Sequence, residues 1–293
     1  MDFRNVSQSR LPILSAIFVL IVLGATGLWA QTTDVNYKGF TAYEEARAST
    51  GDSGQFVVLD TNIGYDFNKH VGMDVGIPVY FVRPTLPGQT HQWDNELGDP
   101  YLDLRLTADN PVVNYSTAIT VSIPARETGA FSTGRAGINW FNHFDRPIYR
   151  FTPFVNAGIG NGILDTRLLS QPFRLTQLFK TLGFIADLEG GADFTVMRGV
   201  KVGGSYYALE PSGPQKIYGK RPPNNVQGVP LTPDASLVTH DRGYSAWLRI
   251  QPSRFFYLEP GYSHSIKLDQ DAATVTVGLD LTSLFRRPTA RRH

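Results

Sequence analysis

The sequence predicts an all-β protein: a transmembrane antiparallel up-and-down β-barrel of about twelve strands, following an N-terminal signal peptide. Three observations lead to this prediction. Apolar and polar residues alternate in runs of about 10–13 residues, whereas the strands of soluble proteins usually have about 5–6. The connections between runs alternate between short turns and long loops. Helical periodicity is nearly absent.

The N-terminal segment predicts export. Two arginines precede the apolar run LPILSAIFVLIVLG, and small residues follow it, as in a secretory signal peptide. We therefore expect a signal peptide over residues 1–30, with cleavage after Ala30 or Gly27, and a barrel domain over residues 31–293. An uncleaved anchor is the alternative, because the apolar run extends for about 20 residues, which is long enough to span a bilayer.

Composition excludes several classes of protein. The formal net charge is +1, so no overall field favours a nucleic-acid partner. The chain has no cysteine, which excludes disulfides, a thiol nucleophile and thiolate metal ligands. Its histidines are scattered without metal-ligand spacing, so we expect neither a metal site nor a cofactor.

The stretch HVGMDVGIPVYFV, residues 70–82, shows the alternation most clearly. One face carries Val71, Met73, Val75, Ile77, Val79 and Phe81, and the other carries Gly72, Asp74, Gly76, Pro78 and Tyr80. The preceding run from Val57 to Phe67 has the same pattern, and the two runs predict a hairpin. We expect the apolar face to contact lipid and the polar face to line the barrel, because an aspartate at the bilayer centre costs about 2–4 kcal/mol.

The same alternation predicts the remaining strands. They include runs near residues 102–109, 113–123, 136–140, 149–159, 182–196, 200–208, 244–250, 256–266 and 273–281. Pro153 interrupts one of them, so we expect a bulge or kink there. The short turns lie near 67–70, 109–112, 145–148, 197–200 and 251–254, and the long loops cover 84–99, 125–134, 161–180 and 211–240. Short turns at one end and long loops at the other are typical of outer-membrane barrels.

The strand count follows from closure. About eleven strands are evident, and a barrel with both termini at the turn end needs an even number. The segment VNYKGFTAYEEA, roughly residues 35–46, is the upstream candidate, which predicts twelve strands with ten as the alternative. TAYEEARAS and RLLSQPFRLTQLFK are each long enough for a short helix at most. A soluble β-sandwich or lipocalin-like barrel with an apolar interior is the alternative fold.

Two stretches resemble a known family. FTPFVNAGIGNG is similar to strand-and-turn segments of Gram-negative outer-membrane β-barrel proteins of the porin-like or OmpA type, and EPGYSHSI with TVTVGLDLTSLF resembles their closing hairpin. The resemblance implies an outer-membrane location, lipid as a partner, and folding by the barrel-assembly machinery. Such proteins typically end on an aromatic residue that this machinery reads. Phe285 is the candidate, although RRPTARRH follows it.

The candidate catalytic strings lack essential parts, and we expect no enzyme and no catalytic residue. Ser263 and Ser265 flank His264 and therefore point to the opposite face, and no carboxylate is evident to orient the histidine. The AGIGNGI glycines are not followed by a helix, so phosphate binding is not predicted.

The polar phase itself is the candidate site. We expect a charged lumen with an acidic balance, formed by Asp60, Asp74, Asp103, Arg105, Arg135, Arg150, Asp187, Glu189, Lys201, Arg249, Glu259 and Asp280. These charges predict a narrow channel or transporter for small polar or cationic solutes. Two alternatives remain open: a plugged structural barrel whose external loops bind a partner, and, third, a lipid-modifying enzyme.

Overall fold

The computed structural model of the protein describes residues 38–51, 54–84, 93–110, 112–125, 136–161, 183–212, 240–267 and 269–282. The described part of the unit Tyr37–His293 is built from antiparallel strands. They are β1 (Gly39–Gly51), β2 (Gly54–Asp66), β3 (Val71–Pro84), β4 (Asp94–Leu97), β5 (Tyr101–Ala108), β6 (Asn114–Ser122), β7 (Gly137–Asp145), β8 (Phe151–Gly160), β9 (Phe184–Met197), β10 (Val200–Ser212), β11 (Asp241–Ser253), β12 (Phe256–Ser265) and β13 (Gln270–Asp280).

The strands close into an up-and-down barrel. Apart from β4, each strand pairs with the strands before and after it around the wall, and closure is completed by the pairing of β1 with β13. β4 and β5 occupy one position in the wall, because both pair with β3: β4 at Val79–Val82 and β5 at Val71–Gly76. The barrel therefore has twelve strand positions, which confirms the predicted count.

Pro78 explains why this wall position is divided. Its carbonyl accepts a hydrogen bond from the amide of Gly98, 2.8 Å away, so its nitrogen faces the same neighbouring segment. Proline has no amide hydrogen to donate there. The ladder between β3 and its neighbour is consequently interrupted at residues 98–100, and β4 ends before β5 begins.

The two faces of the wall have the predicted polarity. Val75 on β3 is 51% exposed on the outer face, whereas the adjacent Asp74 is 6% exposed. Leu102, Leu104 and Leu106 on β5 are likewise exposed, and so are Val275 and Leu279 on β13. The interior is mostly polar and contains one buried apolar cluster, formed by Phe56, Val58, Tyr80 and Val82. An apolar exterior around a mostly polar interior is the arrangement of a membrane-spanning barrel, and it excludes the soluble alternative with an apolar core.

Four expectations about local structure are wrong. The first strand covers Gly39–Gly51 instead of ending near residue 46, and the segment TAYEEARAS is part of it and not a helix. The 84–99 loop contains β4. No bulge occurs at Pro153, because pairing of β8 with β9 is continuous through it. Its carbonyl accepts from the Arg146 amide beyond the end of β7, so the missing donor faces a turn and interrupts no ladder.

Several expectations concern residues outside the described ranges. These are the signal peptide over residues 1–30, Phe285, the segment RLLSQPFRLTQLFK and most of the long loops. No helix in the described residues is long and apolar enough to span a membrane.

Candidate functional site in the barrel interior

Alternate residues of each strand face the barrel interior, and two cavities lie among them. The inward phase is rich in ionisable groups. Its carboxylates include Glu45, Asp60, Asp66, Asp74, Asp103, Asp145, Asp187, Glu189, Asp193, Asp241, Glu259 and Asp280, and its permanent cations are Arg47, Arg105, Lys201 and Arg249. Carboxylates therefore outnumber cations along the described strands.

We name the first space the aromatic cavity. It has a volume of about 500 Å³, and its wall is formed mainly by β7 to β13 together with β1. The rings of His143, Phe154 and Trp247 follow one another across it, with centroids 5.9 Å and 6.0 Å apart. Because β8 and β11 are three positions apart in the wall, the contact between Phe154 and Trp247 narrows the interior.

Charged groups surround these rings. Arg249 donates from Nε to Glu259 at 2.5 Å, and Glu189 accepts hydrogen bonds from Asn156 at 2.8 Å and from Ser205 at 2.5 Å. Lys201 lines the same cavity and makes no ion pair with any residue that the structure describes. The aromatic cavity thus combines apolar rings with one cation that is not neutralised by a direct partner.

We name the second space the turn-end cavity. Its volume is about 480 Å³, and it is lined by β1, β2, β3, β5, β12, β13 and the β11–β12 turn. Arg105 is its central cation: it donates to Asp66 at 3.1 Å and contacts Asp74 through both Nε and a terminal nitrogen. Asp103 accepts a hydrogen bond from Thr120 at 2.9 Å. This cavity contains more carboxylates than cations.

The two cavities share Glu45, Arg47 and Tyr257. Glu45 forms an ion pair with Arg47 and accepts a hydrogen bond from the Tyr257 hydroxyl. Arg249 lies over the Tyr257 ring, with its central carbon 5.6 Å from the ring centroid. This cluster, which we call the partition, separates the aromatic cavity from the turn-end cavity.

Inward aromatic residues are positioned by glycines on neighbouring strands. Tyr101, Tyr207, Trp247 and Tyr257 each stand opposite a glycine in the pairing register: Gly76, Gly243, Gly203 and Gly278. A Cβ atom at any of these glycines would overlap the opposing ring. The absence of a side chain therefore lets each ring lie along the wall.

Each of these rings directs its polar atom to a carboxylate. Tyr101 donates to Asp60 at 2.8 Å, Tyr207 donates to Asp241 at 3.1 Å, and Trp247 donates to Asp193 at 2.9 Å. Tyr257 donates to Glu45. In three cases the acceptor lies two strands away, so the aromatic ring crosses the glycine strand to reach it. We call each set of an aromatic residue, its facing glycine and its carboxylate an aromatic row. The hydrogen bonds of the aromatic rows hold the carboxylates against the wall and fix the shape of the lumen.

The predicted site residues occupy different places. Asp60, Asp74, Asp103, Arg105 and Asp280 line the turn-end cavity, and Glu189, Lys201, Arg249 and Glu259 line the aromatic cavity. Asp187 is half-buried on β9, in register with Gly158 and Leu209. Arg150 is exposed in the turn before β8, and Arg135 lies outside the described residues.

Sequence reasoning missed the residues of the partition. Glu45 and Arg47 lie on β1, whose alternation is too weak to give its phase from the sequence. The aromatic rows were also missed, although a signal existed. Each of their large polar-tipped aromatics occurs in the inward phase opposite a glycine of the adjoining strand.

The outer face differs from one sequence expectation. His264 does have a carboxylate partner, because its Nδ1 lies 2.8 Å from Asp271 on β13. Ser263 and Ser265 nevertheless face inward, and each is 7% exposed. Within the described part of the chain, the histidine consequently has no serine beside it on the outer face. Among the described residues no group of three or more histidine or acidic side chains could hold a metal ion.

No protein-family model and no curated protein sequence matches the chain. Solved structures do. An outer-membrane channel from Pseudomonas putida F1 aligns with 86% of this chain and 100% of its own, with 8% identity and a TM-score of 0.54. The KdgM porin, solved with disordered oligogalacturonate, aligns with 81% and 98% (10% identity, TM-score 0.47), and the NanC porin with 81% and 100% (6% identity, TM-score 0.47). At these identities the likeness shows the fold alone.

The closed wall, its apolar exterior and its polar interior define the class of protein. The chain is an outer-membrane β-barrel with lipid around its apolar exterior.

Proposed function

We propose that the barrel is a narrow channel for small polar solutes and that its lumen favours cations. The observation that carries this proposal is the excess of inward carboxylates around two cavities of about 500 and 480 Å³. Rings of carboxylates attract cations and repel anions in pores. Low-dielectric walls focus this potential, so a modest excess of charge is enough to bias permeation.

The interior dimensions favour small solutes. A barrel of twelve positions is intermediate between filled eight-stranded barrels and open porins of about sixteen strands. The Phe154–Trp247 contact and the partition narrow the interior further. A permeating solute must therefore pass polar side chains at close range, which suits small hydrated molecules and excludes large ones.

Conductance in planar bilayers tests this function. The purified barrel should give discrete conductance steps, and a salt gradient should shift the reversal potential toward cation permeability. Asp103→Asn removes a charge from the turn-end cavity and should reduce the cation preference. Lys201→Gln removes the directly unpaired cation of the aromatic cavity and should increase it.

Asp271→Asn is the matched control, because Asp271 lies on the outer face beside His264. It should leave the reversal potential unchanged. The proposal would be contradicted if bilayers with a high concentration of the barrel showed no conductance. The mobility of the barrel on unheated gels would show that it is folded in this experiment. Anion preference in the native protein would contradict its charge selectivity.

A further inference from the structure

The turn end of the barrel carries exposed cations on four turns. They are Lys69 between β2 and β3, Arg146 and Arg150 between β7 and β8, Arg198 between β9 and β10, and Arg254 between β11 and β12. None of them forms an ion pair within the described part of the chain. The described turns at this end contain one acidic residue, Asp109, which lies between β5 and β6.

The carboxylates nearest this end are engaged inside the barrel. Asp145 accepts a hydrogen bond from Asn114 at 2.9 Å and lies 3.0 Å from His143. Asp280 accepts from the Thr282 amide at 2.9 Å, and Asp66 contacts Arg105. The positive charge of the turns is therefore not neutralised by the protein itself.

A surface pocket lined by both polar and apolar residues contains one of these arginines, Arg146. It has a volume of about 290 Å³ and lies between the β5–β6 turn and the β7–β8 turn, with Val112, Arg146, Ile148 and Tyr149 in its lining. Val112 and Ile148 are exposed although they are aliphatic, and Tyr149 is fully exposed at 104%. An exposed apolar patch beside free cations fits an amphipathic anion better than a small inorganic one.

The backbone supports a specific role for this turn. Tyr149 has φ = 55°, in the left-handed region that a bulky side chain rarely adopts. Strain of this kind persists where function or surroundings require it. The amide of Thr195 donates to the carbonyl of Arg150 at 2.7 Å, which fastens the turn to β9, the strand that leads to Arg198. The β7–β8 turn, with Arg146 and Arg150, is thereby held beside the strand that ends just before Arg198.

We propose that this end of the barrel binds an anionic phospholipid of the inner leaflet. Periplasmic turns lie at the level of the inner-leaflet headgroups, where a phosphate meets Arg146, Arg150 and Arg198 and the acyl chains meet Ile148, Val112 and Phe151. Arginine binds phosphate in a bidentate manner, and tyrosine is suited to the membrane interface. An acidic periplasmic protein is the competing occupant.

Native mass spectrometry of the detergent-solubilised full chain tests the proposal. The folded barrel is titrated with phosphatidylglycerol and, separately, with phosphatidylcholine of the same acyl chains. The native protein should bind phosphatidylglycerol more tightly. The triple variant R146Q/R150Q/R198Q should lose the preference for phosphatidylglycerol. Its affinity for this lipid should fall about fivefold for each removed cation that lies near the phosphate. The corresponding lysine variants should retain most of it.

Arg242→Gln combined with Lys267→Gln is the matched control, because both residues are exposed at the loop end. This variant should keep the preference for phosphatidylglycerol. Equal binding of the two lipids by the native protein would overturn the proposal, and so would unchanged phosphatidylglycerol binding by the triple variant. If the triple variant bound both lipids as the native protein does but no longer bound an acidic periplasmic protein, the surface would be assigned to that protein instead. The measurement needs no conductance, so its outcome is independent of the proposed channel activity.

Discussion

The indole ring of Trp247 covers Gly203 on the neighbouring strand so closely that a Cβ atom on residue 203 would overlap it. Beyond the glycine, the indole nitrogen donates to Asp193 on β9 at 2.9 Å. The same arrangement joins Tyr257, Gly278 and Glu45. Aromatic rings thus bridge three strands inside the wall, and a glycine in the middle strand makes each bridge sterically feasible.

The first prediction follows from this contact. Gly203→Val should displace the indole and break its bond to Asp193, and such overpacking costs about 1–3 kcal/mol. The temperature at which the folded band converts to the unfolded band on gels should fall, and the tryptophan fluorescence of the folded barrel should change. Gly190→Ala is the control, since a Cβ at Gly190 would meet nothing within 4 Å. Equal stability of the two variants would show that the aromatic row of Trp247, Gly203 and Asp193 is not rigid.

The second prediction concerns Arg105. Its guanidinium contacts both Asp66 and Asp74, and Asp74 is almost fully buried. Arg105→Met should destabilise the barrel by about 2–3 kcal/mol, less than a fully buried pair because the Arg105 side chain is 35% exposed. The urea concentration at which the folded gel band is lost would measure this effect.

A double variant separates charge from packing at the same position. Adding Asp74→Asn to Arg105→Met removes the buried carboxylate that Arg105→Met leaves without its cation. The double variant should therefore recover part of the lost stability. If it is less stable than Arg105→Met, the loss comes from packing of the arginine chain and not from the unpaired charge.

The sequence predicted the barrel because two-residue alternation is a strong constraint in a membrane. Shifting β3 by one residue would place Asp74 in lipid and Val75 in the lumen, so the register is fixed by the sequence alone. β1 was harder, because Ala42, Ala46 and Ala48 give its outer phase little apolar contrast. The partition depends on which residues of distant strands meet, as Tyr257 and Glu45 do, and single-strand patterns carry no such information.

The third prediction rests on the proposed channel. Tyr257 separates the two cavities and is positioned by Gly278 and Glu45. Tyr257→Ala should join the cavities and raise the single-channel conductance. Tyr244→Ala, which removes an exposed ring from the outer face, should leave conductance unchanged. An unchanged conductance in folded Tyr257→Ala would mean that solutes pass elsewhere in the lumen.

The last prediction concerns hydrolytic activity at the outer face. His264 and Asp271 form a hydrogen-bonded pair there, with the Tyr262 hydroxyl also donating to Asp271. A serine hydrolase needs a serine on the same face as its histidine, and Ser263 and Ser265 point into the barrel instead. We therefore expect the folded barrel to resist labelling by a fluorophosphonate probe and His264→Ala to leave the lipid composition of the membrane unchanged. If the native barrel were labelled and His264→Ala abolished the labelling, a serine outside this hairpin would have to reach the histidine. That result would support the alternative of a lipid-modifying enzyme.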